Sequence, residues 1–235
     1  SQVKDAHIVL NVQLNSDPLE PKTFKKAMKA EDQEYWRESA KREANNFIKR
    51  KAWKKVHRST VYQKGRRPIP CKWIFKRKNK PDKWLSYKSR IVVKGYMQIP
   101  GVDFTESFSP VAGDTVIRTG LSIILYYTNQ STEQGSEEWI CVTYDVEAAF
   151  LEADLGDKSV YIEWPEGLVE LGIISPEDER DTCAQLTKAM YGTVDAPLRF
   201  YKTLQEKLIS PPMSLSQSQA EPTLFYKQDD KGTLL

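Results

Sequence analysis

The sequence predicts an α+β fold in which an antiparallel sheet is packed by helices. Three observations predict it. Apolar residues recur at helical spacing from Phe24 to Ile48. They alternate at strand spacing in two runs that flank a polar turn at 79–83. A continuous apolar run at 139–145 ends on an aspartate. At 235 residues, against about 150 for a typical domain, the chain can bury a core as one large or two small domains.

Residues 1–21 contain Pro18 and Pro21 without periodicity and read as an arm or linker. From Thr23, a suitable N-cap, Phe24, Ala27 and Met28 mark a short helix. Tyr35, Trp36, Ala40, Ala44, Phe47 and Ile48 mark a long one, with Trp36 as core anchor. Residues 53–95 read as short strands. Ile69 to Lys76 and Leu85 to Lys94 form a hairpin whose tip, Asn79-Lys80-Pro81-Asp82-Lys83, is polar and holds a proline. Alternation about Ile91 and Val93 turns Lys88, Arg90, Val92 and Lys94 to the opposite face. Thr115 to Thr128, rich in Ile and Leu, reads as a buried helix, and Asn129 to Glu138 as a polar loop.

Trp139 to Asp145 reads as a strand that turns into a helix at Val146. Val160 to Trp164 is a further strand, closed by Pro165. After an acidic loop, Ala184 to Met190 and Pro197 to Leu208 read as helices separated by Tyr191 to Ala196. Pro211-Pro212 breaks the chain, and Thr223 to Lys227 and Leu234-Leu235 read as strands. There are no internal repeats.

The net charge of +3 conceals an asymmetry. Residues 1–98 hold 26 Lys/Arg against 9 Asp/Glu, and residues 99–235 hold 9 against 23. Within 49–98 there are 18 basic residues and one acid, Asp82. Interleaved with Trp53, Trp73, Phe75, Trp84, Tyr87 and Tyr96, this half reads as a phosphate-contacting surface with stacking groups. A solvated lysine-rich face is the alternative. No segment reaches the roughly 18 uninterrupted apolar residues of a membrane span, so no membrane partner is expected. Lys4, Asp5 and His7 exclude a signal peptide. The chain opens on Ser1, which suggests a piece of a longer protein. Cys71, Cys141 and Cys183 are odd in number and far apart, and suit reduced core thiols.

Asp145 carries the chemistry. A carboxylate delivered to a strand-to-helix turn is a hard oxygen ligand suited to Mg²⁺. Two such ions about 3.5–4 Å apart clamp an in-line phosphoryl displacement, which is how polymerases use this arrangement. One aspartate cannot hold two ions. Asp145 could instead be a helix N-cap. His7 and His57 lie in polar surroundings without partners, and support neither a metal site nor a nucleophile. No Gly-rich loop runs into Gly-Lys-Ser/Thr, which argues against a P-loop hydrolase.

Taken in order, several blocks resemble the reverse transcriptase of copia-type long-terminal-repeat retrotransposons. They are Lys72-Trp73-Ile74-Phe75-Lys76, Tyr87-Lys88-Ser89-Arg90-Ile91-Val92-Val93-Lys94-Gly95-Tyr96 and Asp103-Phe104-Thr105-Glu106-Ser107-Phe108-Ser109-Pro110-Val111. Asp145-Val146-Glu147-Ala148-Ala149-Phe150-Leu151-Glu152-Ala153-Asp154-Leu155, Val160-Tyr161-Ile162-Glu163-Trp164-Pro165 and Ala189-Met190-Tyr191-Gly192 follow. Order and spacing, over about residues 22–235, make the resemblance specific.

The resemblance implies a right-hand polymerase fold. Residues 22–112 would supply N-terminal helices and basic fingers, and 113–235 an incomplete palm. Asp145 matches the first catalytic aspartate, with the Val146 carbonyl as second contact to magnesium, of which two ions are expected. Phe150 matches the aromatic that excludes a ribose 2′-hydroxyl by clash. Arg90 matches the arginine that grips the incoming nucleotide through its planar fork. Lys88 and Lys76 match further triphosphate contacts, and Tyr191 and Gly192 the block that supports nucleotide and template. Implied partners are an RNA or DNA template–primer, deoxynucleoside triphosphates and the remainder of a polyprotein. The implied setting is intracellular, in a cytoplasmic virus-like particle or the nucleus.

The chain departs from the family after Tyr191-Gly192. It has Thr193-Val194-Asp195 where Leu-Lys-Gln is common, an exchange that either weakens nucleic-acid contact or marks a divergent lineage. The Tyr-x-Asp-Asp hairpin with the other catalytic aspartates is expected beyond Leu235. Asp229-Asp230, at a turn with Lys231-Gly232, is no substitute. The isolated chain is therefore expected to be inactive. A degenerate or co-opted nucleic-acid-binding domain, and a different Mg²⁺-dependent phosphoryl-transfer enzyme such as a nuclease, remain as alternatives.

Overall fold

The computed structural model describes residues 20–79, 85–134, 142–156, 158–229 and 232–234. Most of the arm and the hairpin tip at 80–84 lie outside them. So do 135–141, which hold Trp139 to Cys141 at the start of the expected strand, and Asp230. Mixed helices and antiparallel sheets make up the fold.

Helices α1 (Phe24–Ala27) and α2 (Gln33–Lys49) form where their periodicity places them. Thr23 caps α1 by accepting from Lys26 N at 3.2 Å. Trp36 is fully buried, edge-on to Phe75 and Tyr87, with its indole N–H donating to Asp32 at 3.0 Å. Asp32 also accepts from Arg77 at 2.5 Å, which ties the start of α2 to the hairpin. Burying a side chain of this size stabilises by about 2–3 kcal/mol.

Strand β1 (Trp53–His57) is followed by a helix, α3 (Arg58–Gln63), where short strands are expected. His57 Nδ1 accepts from Ser59 N and so caps α3. This histidine therefore has a partner, contrary to the expectation for it. Strands β2 (Cys71–Asn79) and β3 (Leu85–Val93) pair antiparallel, with Trp73 opposite Ile91 and Lys76 opposite Lys88. Trp73, Phe75, Ile91 and Val93 face the core, while Lys88, Arg90, Val92 and Lys94 lie on the other face. The expected two-faced hairpin is what forms.

Helix α4 (Asp114–Gln134) runs through part of the expected polar loop. It is not the buried helix expected: Ile117, Leu121, Leu125 and Tyr126 are all exposed. Residues 142–146 form no strand, and the expected helix after Asp145 is a single 3₁₀ turn at Ala149–Glu152. Strand β4 is short (Tyr161–Ile162), and the acidic loop contains α5 (Pro176–Asp181).

The expected helix from Ala184 is overturned. Thr182–Leu186 forms β5, the centre of a sheet ordered β1-β5-β4. A short apolar run does not declare its period, and two neighbours offering backbone partners decide it. Helix α6 (Ala196–Ile209) is the one expected. Strands β6 (Ser216–Gln217), β7 (Phe225–Asp229) and β8 (Gly232–Leu234) close the chain, with Asp229 opposite Gly232 at the expected turn. Cys183 is buried, and burial pushes the Cys71 thiol up to about 12. Both behave as core thiols.

Candidate functional site

Three stretches distant in sequence meet on the cationic face of the hairpin. β3 contributes Arg90, the loop after β5 contributes Tyr191 and Gly192, and the 3₁₀ turn contributes Phe150. The Arg90 guanidinium lies over the Tyr191 ring at 5.2 Å, a cation–π contact. Phe150 meets the same ring at 5.0 Å and Phe200 of α6 at 6.3 Å. One aromatic wall thus joins arginine, tyrosine and phenylalanine.

The backbone brings these groups together. Val93 N donates to Tyr191 O at 2.8 Å. Gly192 adopts φ +90°, and a Cβ there would lie 2.2 Å from Val93 O. A Cβ at Gly95 would lie 1.9 Å from Gly192 O. Only glycines allow the two chains to approach so closely. Gln98, buried beside them, accepts from Val194 N at 2.7 Å.

Asp145 touches none of these groups among the described contacts, but its charge reaches one of them. Its segment is exposed, and its charge acts on Tyr191, whose phenol is raised chiefly by burial. Asp145 and the Val146 carbonyl fit as part of a magnesium shell, which takes oxygen donors. No cluster of three His, Cys, Asp or Glu occurs among the described residues, so the rest of such a shell is not found there.

Lys76 is paired with Glu20 at 2.6 Å, and Lys88 is exposed directly opposite it. Of the aromatics expected to stack, Trp73 and Phe75 are core, Trp53 packs against Phe47 and Trp164, and Tyr87 against Trp36. Trp84 lies outside the described residues. Tyr96 is the exposed one, at 81%.

The charge asymmetry also has an internal use. Arg50 pairs with Glu152 at 2.9 Å, Lys55 with Asp178 at 2.8 Å, Arg58 with Glu163 at 2.6 Å, and Arg66 with the buried Asp103. Each cation comes from the basic half and each acid from the acidic half. Part of the basic run therefore joins the halves.

Asp195 behaves differently from an acid facing a template. It is buried and pairs with Arg199 at 2.5 Å, and Arg199 donates onward to Leu155 O at 2.9 Å. Composition alone exposes none of these partners. Glu43, Arg50 and Gln98 are likewise absent from a reading by motif, because their spacing carries no signature.

Comparison with known proteins assigns the class. The profile of the family described as Reverse transcriptase (RNA-dependent DNA polymerase) matches residues 51–235, and the chain belongs to that family. Its relatives include the Retrovirus-related Pol polyprotein from transposon TNT 1-94 of Nicotiana tabacum, 32% identical over 94% of this chain. Those from transposons RE2 and RE1 of Arabidopsis thaliana are 33% and 32% identical over 92% and 91%. The copia-type resemblance is borne out. The chain spans only 15%, 13% and 13% of those three polyproteins. No solved structure matches.

Proposed function

We propose that this chain is the fingers and part of the palm of an RNA-directed DNA polymerase, and that the Arg90–Tyr191–Phe150 wall is its nucleotide site. The observation that carries this reading is the convergence of the three groups from three separate segments. In this reading, hairpin and N-terminal helices are fingers, and the segments after residue 112 are palm.

Arg90 grips the triphosphate of an incoming deoxynucleotide and stabilises its negative charge. Held over Tyr191, its fork is oriented before substrate arrives, so less freedom is lost on binding. Phe150, fixed between Tyr191 and Phe200, presents a rigid edge that rejects a 2′-hydroxyl. Lys88 adds positive potential on the same face, as does Lys76 at its edge once released from Glu20. Tyr191 and Gly192 support nucleotide and template. Asp145, with the Val146 carbonyl, is the part of the magnesium shell that this segment supplies. Magnesium, two ions in this family's reaction, would polarise the phosphate and activate the primer 3′-hydroxyl. The partners are a template–primer, deoxynucleoside triphosphates and the rest of a Pol polyprotein, acting in a cytoplasmic particle or the nucleus.

The test is Asp145→Ala in the Pol polyprotein that contains this chain. Primer extension is expected to fall by at least about a hundredfold, with template–primer affinity changed less than about threefold. Extension close to wild type would overturn the assignment and favour a domain that binds nucleic acid without catalysis.

A further inference from the structure

Helix α2 runs along the free edge of β3 and meets it with a ladder of polar side chains. Ser39 Oγ donates to Tyr87 O at 3.0 Å, and Ser89 Oγ donates to Ser39 Oγ at 2.9 Å. One turn on, Glu43 Oε1 accepts from Ile91 N at 3.2 Å. Serine or glutamine would cover a strand edge as well as glutamate does. A carboxylate there needs a further reason, because burial disfavours its charge.

The adjacent residue in β3 is Arg90. Its Nε is buried with no hydrogen-bond partner among the described residues, and its guanidinium lies over Tyr191. Arg90 is the foremost of the cations acting on Glu43, ahead of Lys88 and of Arg50 just past α2. Glu43 also acts on Tyr191. Glu43 thus shares its surroundings with both members of the cation–π pair, while its own carboxylate is oriented by the Ile91 N–H.

We infer that Glu43 is a positioning residue for Arg90: its charge, fixed by the β3 backbone, holds the guanidinium over Tyr191 in the orientation that receives a nucleotide. This rests on the nucleotide reading of Arg90 given above. A residue acting this way changes how tightly nucleotide is held, and leaves the chemical step and the template–primer grip alone.

Glu43→Gln separates charge from structure, since the amide oxygen still accepts from Ile91 N–H at nearly unchanged volume. In the Pol polyprotein containing this chain, we expect Glu43→Gln to raise the deoxynucleotide KM about tenfold, with kcat and template–primer Kd within about twofold. The effect disappears in an Arg90→Ala background, because the residue through which Glu43 acts is gone. Burial raises the Glu43 carboxyl to about 7, opposed first by the Ile91 N–H hydrogen bond and then by Arg90, Lys88 and Arg50. Wild-type KM therefore falls, relative to Glu43→Gln, as pH rises through about 7. The titration of the nucleotide's own phosphates is common to both proteins and cancels in the ratio. An unchanged KM in Glu43→Gln, or an effect of equal size in the Arg90→Ala background, overturns the inference while Arg90 keeps its role. An Arg90→Ala variant with unchanged KM overturns the nucleotide reading, and this inference with it.

Discussion

The approach of Gly192 to β3 leads to a prediction with an internal control. Gly192 and Gly65 both have positive φ, +90° and +66°, so alanine at either position suffers backbone strain of about 1–2 kcal/mol. They differ in what a Cβ would touch. At Gly65 nothing lies within 4 Å, whereas at Gly192 the Cβ would lie 2.2 Å from Val93 O and 2.6 Å from Val92 Cγ1. Val93 O is backbone in a paired strand and cannot rotate away. The adjacent Val93 N–H already donates to Tyr191 O, so the two chains must part or distort. Overpacking of this kind adds roughly 1–3 kcal/mol. Gly65→Ala is therefore expected to lose about 1–2 kcal/mol and Gly192→Ala about 2–5 kcal/mol. Urea unfolding followed by tryptophan fluorescence and extrapolated linearly measures both, with the buried Trp36 and Trp73 as reporters. If the two losses agree within about 0.5 kcal/mol, the contact contributes nothing and the reasoning fails.

Phe150→Val should reduce the preference for deoxynucleotides over ribonucleotides about tenfold or more in paired incorporation assays. An unchanged preference removes Phe150 from sugar selection. Arg199→Ala leaves the buried Asp195 without its partner and should cost about 3–5 kcal/mol, and the double variant Asp195→Ala/Arg199→Ala should recover part of that. A loss under about 1 kcal/mol in the single variant would show that the pair is solvated. For Glu43, a folded-state carboxyl near 7 against 4.5 means that the native chain binds the proton more tightly than the unfolded one. Stability from this group is present below about 4.5 and is lost as pH rises through about 7, by at most about 3 kcal/mol. The stability difference between wild type and Glu43→Gln measured from pH 4 to 8 should carry this slope. A flat difference would show that Glu43 is not desolvated.

Much of the local structure is legible in the residues themselves. Thr23 before Phe24, the Trp36 face of α2, the two faces of β3, and α6 are written in spacing. Neighbours in sequence set those patterns, because side-chain direction follows the helical or strand period. The candidate site was half legible. Arg90, Tyr191 and Phe150 stand in the blocks that carry the resemblance, and the structure brings them into ring contact.

What the tertiary structure decided are the matters that depend on partners far along the chain. Thr182–Leu186 is a strand because β1 and β4 lie on either side of it. Ile117, Leu121, Leu125 and Tyr126 of α4 are exposed, since periodicity states which residues share a face and cannot state what covers it. Asp195 looked like an acid beside a template and is instead buried against Arg199. The basic run looked like a single outward surface, yet four of its cations pair with acids from the other half. Glu43 was one acid among many on a surface helix until the fold set it against the edge of β3 and next to Arg90. Period and propensity are properties of neighbours in sequence; burial and pairing are properties of neighbours in space, and only folding makes those known.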